Sequence, residues 1–174
     1  MKDYHAGWQG QWQEHLLLQQ RERAFTLIEL LVVTVIVGIL AAVSLPSLVD
    51  QIGKARETEA KTQLGSLSRA QQAFHVEHQE FANSLDKLSL MGSFSPEYYN
   101  YSAPTSKDNK FAAEVKHKAN AVDASKDRVR NYEAGVYFDA GIYNIKICQS
   151  DKVNGEAEAP DTPYDNCTKG TQLK

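Results

Sequence analysis

Apolar positions are concentrated in one nearly continuous segment in the first third of the chain. Between Phe25 and Val49 the only charged side chain is that of Glu29. At ~1.5 Å of rise per residue, a helix from Phe25 to Leu45 would be about 31 Å long, which matches the hydrocarbon thickness of a bilayer. The pattern therefore predicts a membrane-spanning helix with one carboxylate near its beginning.

A second helical pattern follows directly, and it is amphipathic rather than uniformly apolar. Its apolar side recurs at spacings of three and four, at Ala60, Leu64, Leu67, Ala70 or Gln71, and Phe74. We therefore expect the helix to continue to about Glu77, with this stripe facing a core. Glu57 and Lys61 are spaced to form a favourable ion pair on the helix, and Gly65 is a candidate for close contact with a packed sheet.

The remainder of the chain carries strand signals. Residues 98–101 are rich in tyrosine, and residues 111–118 alternate between apolar and polar side chains. Residues 132–138 and 142–148 have the pattern of a hairpin that turns at residues 139–141. These elements predict three or four antiparallel strands lying on the second half of the helix, and hence an α+β fold.

Composition and charge narrow the possible functions. The chain has 174 residues and a formal net charge of −3, and its basic residues form no cluster of the kind that contacts nucleic acid. Residues 149–174 are rich in Asp, Asn, Pro and Gly, and their apolar content is too low for a core of their own. The outline is a polar head on one apolar stem.

Two cysteines, Cys148 and Cys167, lie beyond the apolar segment. A disulfide between them would close a short loop, would contribute about 3 kcal/mol, and would attach the tail to the last strand. It requires an oxidising compartment, which agrees with export. The alternative is a pair of unrelated reduced thiols.

No catalytic constellation is visible in the sequence. His75 and His78 are spaced for two metal ligands on a helix, but we interpret them as surface residues, and His117 as a structural residue in a strand. The acids of the tail match no calcium-binding loop, and phosphate loops and nucleophile motifs are absent from the sequence. We expect no enzyme activity, no metal and no cofactor.

The stretch from Ala24 to Val33, AFTLIELLVV, resembles the class III signal of type IV prepilins. Gly38 and Pro46 stand where pilins usually carry glycine and proline. Residues 53–57, 59–61 and 69–72 resemble cyanobacterial pilins of the type IV pilin-like G and H family in particular. The chain departs from the usual pattern at Ala24, where pilins usually have glycine.

The resemblance implies roles for individual residues. A prepilin peptidase would cut between Ala24 and Phe25 and would then methylate the new amino group of Phe25. A carboxylate in an apolar segment is costly without a partner. In a second copy, shifted along the axis, this amine would pair with Glu29 and set the axial register. Gly38 and Pro46 would give the helix flexibility during assembly.

The resulting organisation has three parts: a cytoplasmic leader over residues 1–24, a transmembrane and filament-core helix over 25–49, and a soluble head over 50–174. The resemblance implies a precursor that crosses the inner membrane once and a mature form in an extracellular pilus. The expected fold is that of type IV pilins, with a long N-terminal helix packed on a small antiparallel sheet.

The function implied is that of a pilus subunit serving adhesion, twitching motility or DNA uptake. Its partners would be further copies in a helical filament, the prepilin peptidase, an assembly ATPase with its membrane platform, and minor pilins. The alternatives are a pseudopilin of a type II secretion system and a monomeric signal-anchored periplasmic binding protein. An ordinary secretory signal, cleaved near Ser44, is a competing interpretation of the apolar segment.

Overall fold

The computed structural model describes residues 26–88 and 97–173. A long helix, α1 (Leu27–His78), precedes a short 3-10 turn (Leu85–Lys87) and an antiparallel sheet. The strands are β1 (Tyr99–Tyr101), β2 (Glu114–Ala121), β3 (Tyr132–Asp139), β4 (Ile142–Gln149) and β5 (Thr171–Gln172), and the short helix α2 (Ala124–Asp127) lies between β2 and β3. The predicted α+β fold, with a long N-terminal helix on a small antiparallel sheet, is confirmed.

The chain divides into two compact units, one ending at Pro46 and the other beginning at Ser47. In the first unit, the described residues belong almost entirely to α1, and all of their side chains are exposed. Ala24 and Phe25, which carry the predicted cleavage site, lie outside the described residues.

The second unit contains the sheet, whose spatial order is β1-β2-β3-β4-β5. Neighbouring strands are thus consecutive in the chain, so the sheet is a meander. The β3–β4 hairpin runs from the pair Tyr132–Gln149 to the pair Asp139–Ile142. Ala140 and Gly141 between the strands both have positive φ, of 49° and 85°, as the favoured two-residue hairpin turn requires. The predicted hairpin is confirmed.

The main core lies between α1 and the sheet. Ala60, Leu64 and Leu67 are completely buried, as the spacing of the apolar stripe predicts. They pack in one cluster with Tyr132 and Ala134 of β3. The stripe continues to the fully buried Gln71 and the half-buried Phe74.

Two local expectations were wrong. A Cβ added to Gly65 would approach only the end of the flexible Arg69 side chain, at 3.6 Å, so Gly65 makes no close contact with the sheet. β2 begins at Glu114, three residues later than expected, because the chain from Phe111 turns first and the Phe111 carbonyl accepts a hydrogen bond from the Phe81 N–H.

The C-terminal tail (residues 150–173) differs most from the expectation. It supplies a fifth strand, β5, which pairs with Cys148 and Gln149. It also buries Ala157 and Ala159 in a small cluster with Cys148. The Cys148–Cys167 disulfide is formed, with a Cα–Cα distance of 5.9 Å, so this prediction is confirmed. The tail is therefore part of the packed unit, in spite of its polar composition.

Candidate functional site

The stem (Thr26 and α1 as far as residue 52) is exposed at every position. Its large apolar side chains keep roughly half or more of their surface accessible, from 44% at Val49 to 87% at Leu27. Monomeric soluble proteins rarely expose a continuous apolar surface of this size, which indicates contact with lipid or with other protein. The segment is also long and apolar enough to cross a membrane.

Thr26 fixes the beginning of the helix. Its side-chain oxygen accepts a hydrogen bond of 3.2 Å from the N–H of Glu29, and its carbonyl accepts another of 3.0 Å from the same N–H. A threonine in this position satisfies one of the free N–H groups of the first turn, and Thr-x-x-Glu is the sequence signature of a capping box. The sequence alone had not identified Thr26 as a helix cap, although the Thr-x-x-Glu spacing could have identified it.

Glu29 lies in the first turn of α1 and is exposed. A carboxylate is favoured there by the positive end of the helix dipole. Among the described residues, no cation forms an ion pair with it. Its position therefore leaves the carboxylate available to a partner outside this part of the chain.

Gly38 and Pro46 both lie inside the continuous helix. A Cβ added at Gly38 would meet no atom within 4 Å, so no contact within the described chain demands a glycine there. Proline at position 46 has no N–H to donate within the helix. The helix therefore lacks one backbone hydrogen-bond donor at Pro46, and Gly38 has no side chain to pack.

A group of contacts holds α1 to the C-terminal end of α2 and to the loop that follows it. The guanidinium of Arg56 forms an ion pair of 2.5 Å with Asp127, and it lies 4.2 Å from the centre of the Tyr98 ring. Glu57 accepts a hydrogen bond from the N–H of Arg130, at 3.1 Å. The predicted pair between Glu57 and Lys61 is not formed, and the Lys61 ammonium instead lies over the Tyr132 ring.

Gly53 permits the close approach of α1 to the C-terminal end of α2. A Cβ at this position would come within 3.1 Å of the Asp127 carbonyl oxygen and 3.4 Å of the Arg128 carbonyl oxygen. The loop is also held by a more exposed pair, in which Arg128 and Asp50 approach to 2.9 Å. None of these contacts has a signal in the sequence, because the partners are more than 40 residues apart.

Two histidines are part of the core. His117 is completely buried, as its strand position predicts, and its Nε2 lies 2.9 Å from the side-chain nitrogen of Gln71. Because that nitrogen only donates, the Nε2 of His117 accepts and its proton is on Nδ1. Burial lowers the pKa of His117 to about 4, so the ring is neutral at neutral pH.

His75 was expected on the surface, and this expectation is wrong. Its ring is only 2% exposed and packs against Phe81 and Phe138. Its Nε2 donates to the Ala112 carbonyl at 3.0 Å, and its Nδ1 accepts from the Tyr143 hydroxyl at 2.8 Å. Both ring nitrogens are thereby used. His78 is exposed, as expected.

The tail crosses the face of the sheet that α1 does not cover, and it is held there by polar contacts. The buried carboxylate of Glu133 accepts a hydrogen bond from the Ala159 N–H, at 2.6 Å. The ammonium of Lys116 donates to the Ala159 carbonyl at 3.0 Å and to Asp161 at 2.6 Å. Desolvation raises the pKa of Glu133 above its ordinary value. In residues 26–88 and 97–173, no cluster of His, Cys, Asp or Glu is arranged to hold a metal ion.

A fully exposed apolar helix that continues into a packed α+β head with a disulfide-closed tail defines a pilin-like subunit. Residues 57–171 match the family described as type IV pilin-like G and H, and residues 19–45 match the prokaryotic N-terminal methylation motif. The chain therefore belongs to the type IV pilin-like G and H family. This is a family of structural proteins and not of enzymes.

Several characterised proteins are similar to this chain. It is 38% identical over 77 residues to the type IV major pilin protein PilA of Myxococcus xanthus, an alignment covering 44% of this chain and 33% of that protein. It is 35% identical over 63 residues to a fimbrial protein of Pseudomonas aeruginosa, covering 36% of this chain and 41% of that protein.

A secretion protein is also similar. The type II secretion system core protein G of Pectobacterium carotovorum is 33% identical over 86 residues, covering 48% of this chain and 55% of that protein. The chain thus spans about a third to a little over half of the length of these relatives.

Proposed function

We propose that this protein is a structural subunit of a type IV pilus, made as a membrane-anchored precursor and polymerised into a surface filament. The exposed apolar stem carries this proposal. In a filament, contacts with neighbouring stems would replace contacts with lipid, so assembly would gain little from burial itself. The axial position of each subunit relative to its neighbours would then depend on the charged groups of the stem and on contacts between heads.

Three segments follow from this proposal. Residues 1–24 are the cytoplasmic leader, residues 25–49 cross the inner membrane and later form the filament core, and residues 50–174 form the head outside the membrane. The match to the methylation motif supports processing between Ala24 and Phe25 and methylation of Phe25. We also propose that the chain is related to the cyanobacterial pilins that its sequence resembles.

Glu29 is the residue proposed to direct assembly. Its carboxylate lies in the first turn of α1. In the sequence, Glu29 follows by four positions the residue whose amino group cleavage before Phe25 would free. In a low-dielectric filament core, an amine from a neighbouring copy would be strongly attracted to it. Gly38 and Pro46 are proposed as the positions where the stem adjusts when it leaves the membrane.

A second candidate is a pseudopilin of a type II secretion system, and the similarity to core protein G favours it. Both candidates require the stem, Glu29 and the cleavage. They differ in the product, because a pilus subunit forms long fibres that can be sheared from the cell surface. Adhesion, twitching motility and DNA uptake are the roles proposed for such fibres, with the assembly ATPase, its membrane platform and minor pilins as partners.

The processing step is tested by sequencing the N-terminus of the mature protein. The expected result is a methylated phenylalanine at Phe25. Replacing Ala24 by leucine should block the cut and leave the uncut precursor as the main species on a gel. An intact leader in the wild-type mature protein would overturn the proposal, and a start near Ser44 would instead show an ordinary secretory signal.

The assembly step is tested with Glu29→Gln, which removes the charge and keeps the size of the side chain. We expect normal amounts of processed protein in the membrane fraction and at least a tenfold loss of sheared filaments seen by electron microscopy. Glu59→Gln, an exposed carboxylate elsewhere on α1, is the matched control and should assemble normally. Normal filaments from Glu29→Gln would contradict the pairing.

A further inference from the structure

The outer edge of β4 is open over most of its length. On one side, β4 pairs with β3 from Ile142 to Gln149. On the other side, β5 pairs only with Cys148 and Gln149. Within the described parts of the chain, no strand pairs with this edge from Ile142 to Lys146.

The direction of the free backbone groups follows from one hydrogen bond. The N–H of Leu173 donates to the carbonyl of Ile147 at 2.9 Å, so the backbone groups of Ile147 point to the outer edge. These directions alternate along a strand, so the N–H and C=O groups of Tyr143 and Ile145 point the same way. These four groups make no backbone hydrogen bond to any other described strand.

The edge also lacks the usual protection against pairing. Natural edge strands carry outward charges, prolines or bulges. This one reads Ile-Tyr-Asn-Ile-Lys from position 142, with Ile142 63% and Ile145 40% exposed. Its one charged side chain, Lys146, is occupied, because its ammonium donates to the carbonyl of Asp165.

We propose that this edge pairs with the same edge of a second copy of the chain, as two antiparallel strands related by a two-fold axis at Asn144. Hydrogen-bonded pairs must join residues whose backbone groups point outward. Because the Ile147 carbonyl is already used, the register that employs the free groups places Tyr143 opposite Ile145 of the second copy. The two-fold axis repeats this pair, which gives four hydrogen bonds.

The side chains suit this register. The Tyr143 ring meets the Ile145 side chain of the other copy, an aromatic and β-branched pair of the kind that stabilises sheets. The exposed Ile142 lies opposite the aliphatic part of Lys146, and Asn144 faces its own equivalent. The partner is a second copy of the chain because, in this register, the free N–H and C=O groups of one copy bond to the same groups of the other. No further segment is needed to complete these hydrogen bonds.

A two-fold contact closes on itself, whereas a helical polymer grows through head-to-tail contacts. The edge would therefore join subunits of two neighbouring filaments, or two subunits that are not yet assembled. A contact of this size is small compared with a standard interface, so single pairs should be weak. Many copies along a filament would strengthen the attachment through multivalency.

The test uses the full-length chain in detergent with Asn144→Cys. In the proposed register, residue 144 faces itself at a non-hydrogen-bonded position, where Cα atoms are about 4.5 Å apart and a disulfide can form. The matched control is Ile142→Cys on the same strand, which is well exposed. Its distance to its own equivalent would be about 14 Å, four residues along the strand.

Under mild oxidation, we expect at least ten times more cross-linked dimer from Asn144→Cys than from Ile142→Cys. Peptide mapping should show a bond between two copies of position 144. Adding Ile145→Lys, or Ile145→Pro to remove an outward N–H, should reduce the yield at least tenfold. A thermal unfolding midpoint like that of the parent shows that each variant is folded.

Equal cross-linking of the two cysteine variants would overturn the proposal. The same conclusion follows if either substitution at Ile145, in folded protein, leaves the dimer yield unchanged. The experiment does not use filaments or the Glu29 carboxylate, so its outcome is independent of the proposed pilus function.

Discussion

The hydroxyl of Tyr137 donates a hydrogen bond of 2.5 Å to the carbonyl of Pro160 and so attaches the C-terminal tail to the sheet. The tyrosine ring reaches the tail by lying across Gly135, two residues earlier in β3. A Cβ at Gly135 would be only 2.2 Å from the Tyr137 hydroxyl oxygen. Burial raises the pKa of Tyr137, so the hydroxyl stays protonated and able to donate at neutral pH.

Gly135→Ala should therefore destabilise the head by about 1–3 kcal/mol, because the new methyl group displaces the Tyr137 ring. Tyr137→Phe, which removes only the hydroxyl, should cost about 1 kcal/mol. Gly65→Ala is the matched control, since that helical position has room, and it should stabilise by about 0.5–1 kcal/mol. Denaturant unfolding of the detergent-solubilised protein measures all three. An unaltered midpoint for Gly135→Ala would show that the tyrosine does not need this space.

The two ion pairs between α1 and the C-terminal end of α2 should differ in strength. The side chains of Arg56 and Asp127 are 24% and 14% exposed, whereas those of Arg128 and Asp50 are 55% and 50% exposed. Arg56→Gln loses its ion pair and its contact with the Tyr98 ring, so we expect a loss of about 1–2 kcal/mol.

Asp50→Asn is the matched control, and we expect a loss of less than about 0.5 kcal/mol, because water screens the exposed pair. High salt should reduce the effect of Asp50→Asn on stability more than that of Arg56→Gln. The interpretation fails if the two variants shift the denaturant midpoint equally.

The buried His117 should make stability depend on pH. Its pKa is about 4 in the folded protein, compared with about 6.5 in an unfolded chain. Below pH 6.5 the unfolded state binds the proton more readily, so stability falls as the pH falls and continues to fall until about pH 4. Over this window the loss should be about 3 kcal/mol.

His117→Gln has no proton to bind and can still hydrogen-bond to Gln71. We therefore expect its unfolding free energy to depend less on pH than that of the wild type between pH 6.5 and 4. Comparing the two proteins separates His117 from Glu133, whose raised pKa acts in the opposite direction. Parallel pH curves for the two proteins would show that His117 is not responsible.

The disulfide should matter most to the tail. Cys148 and Cys167 are separated by 19 positions, and a bond closing such a loop contributes about 3 kcal/mol. Cys167→Ser should loosen the tail, so trypsin should cut after Lys152 and Lys169 faster than in the oxidised wild type. Cys148→Ser should have at least as large an effect, because it also buries a hydroxyl group. Cleavage rates that are the same with and without reductant would contradict this role.

Much of this architecture could be predicted from local pattern. The continuous apolar run, the spacing of Ala60, Leu64 and Leu67, and the hairpin at Asp139–Gly141 each depend on residues close in the chain. Hydrophobic periodicity indicates the local backbone conformation and the side of the element that is buried, so these elements were predicted correctly. The disulfide was also predictable, because the chain has only two cysteines, and the structure decided that they form a bond instead of two free thiols.

Other features depended on residues far apart in the chain. The pair Arg56–Asp127, the burial of His75 and the contact of Tyr137 with Pro160 have no periodic signal. The tail was misjudged because its apolar content is low, whereas backbone carbonyls and buried polar side chains hold it to the sheet.

By itself, the sequence determined the membrane-length stem with its lone acid, and the class of fold that follows it. Tertiary structure alone decided which polar groups are buried, where the tail lies, and which edge of the sheet stays open. The physical reason is that hydrophobic periodicity acts within one element. Hydrogen bonds and ion pairs between elements depend on distances that exist only after the chain has folded.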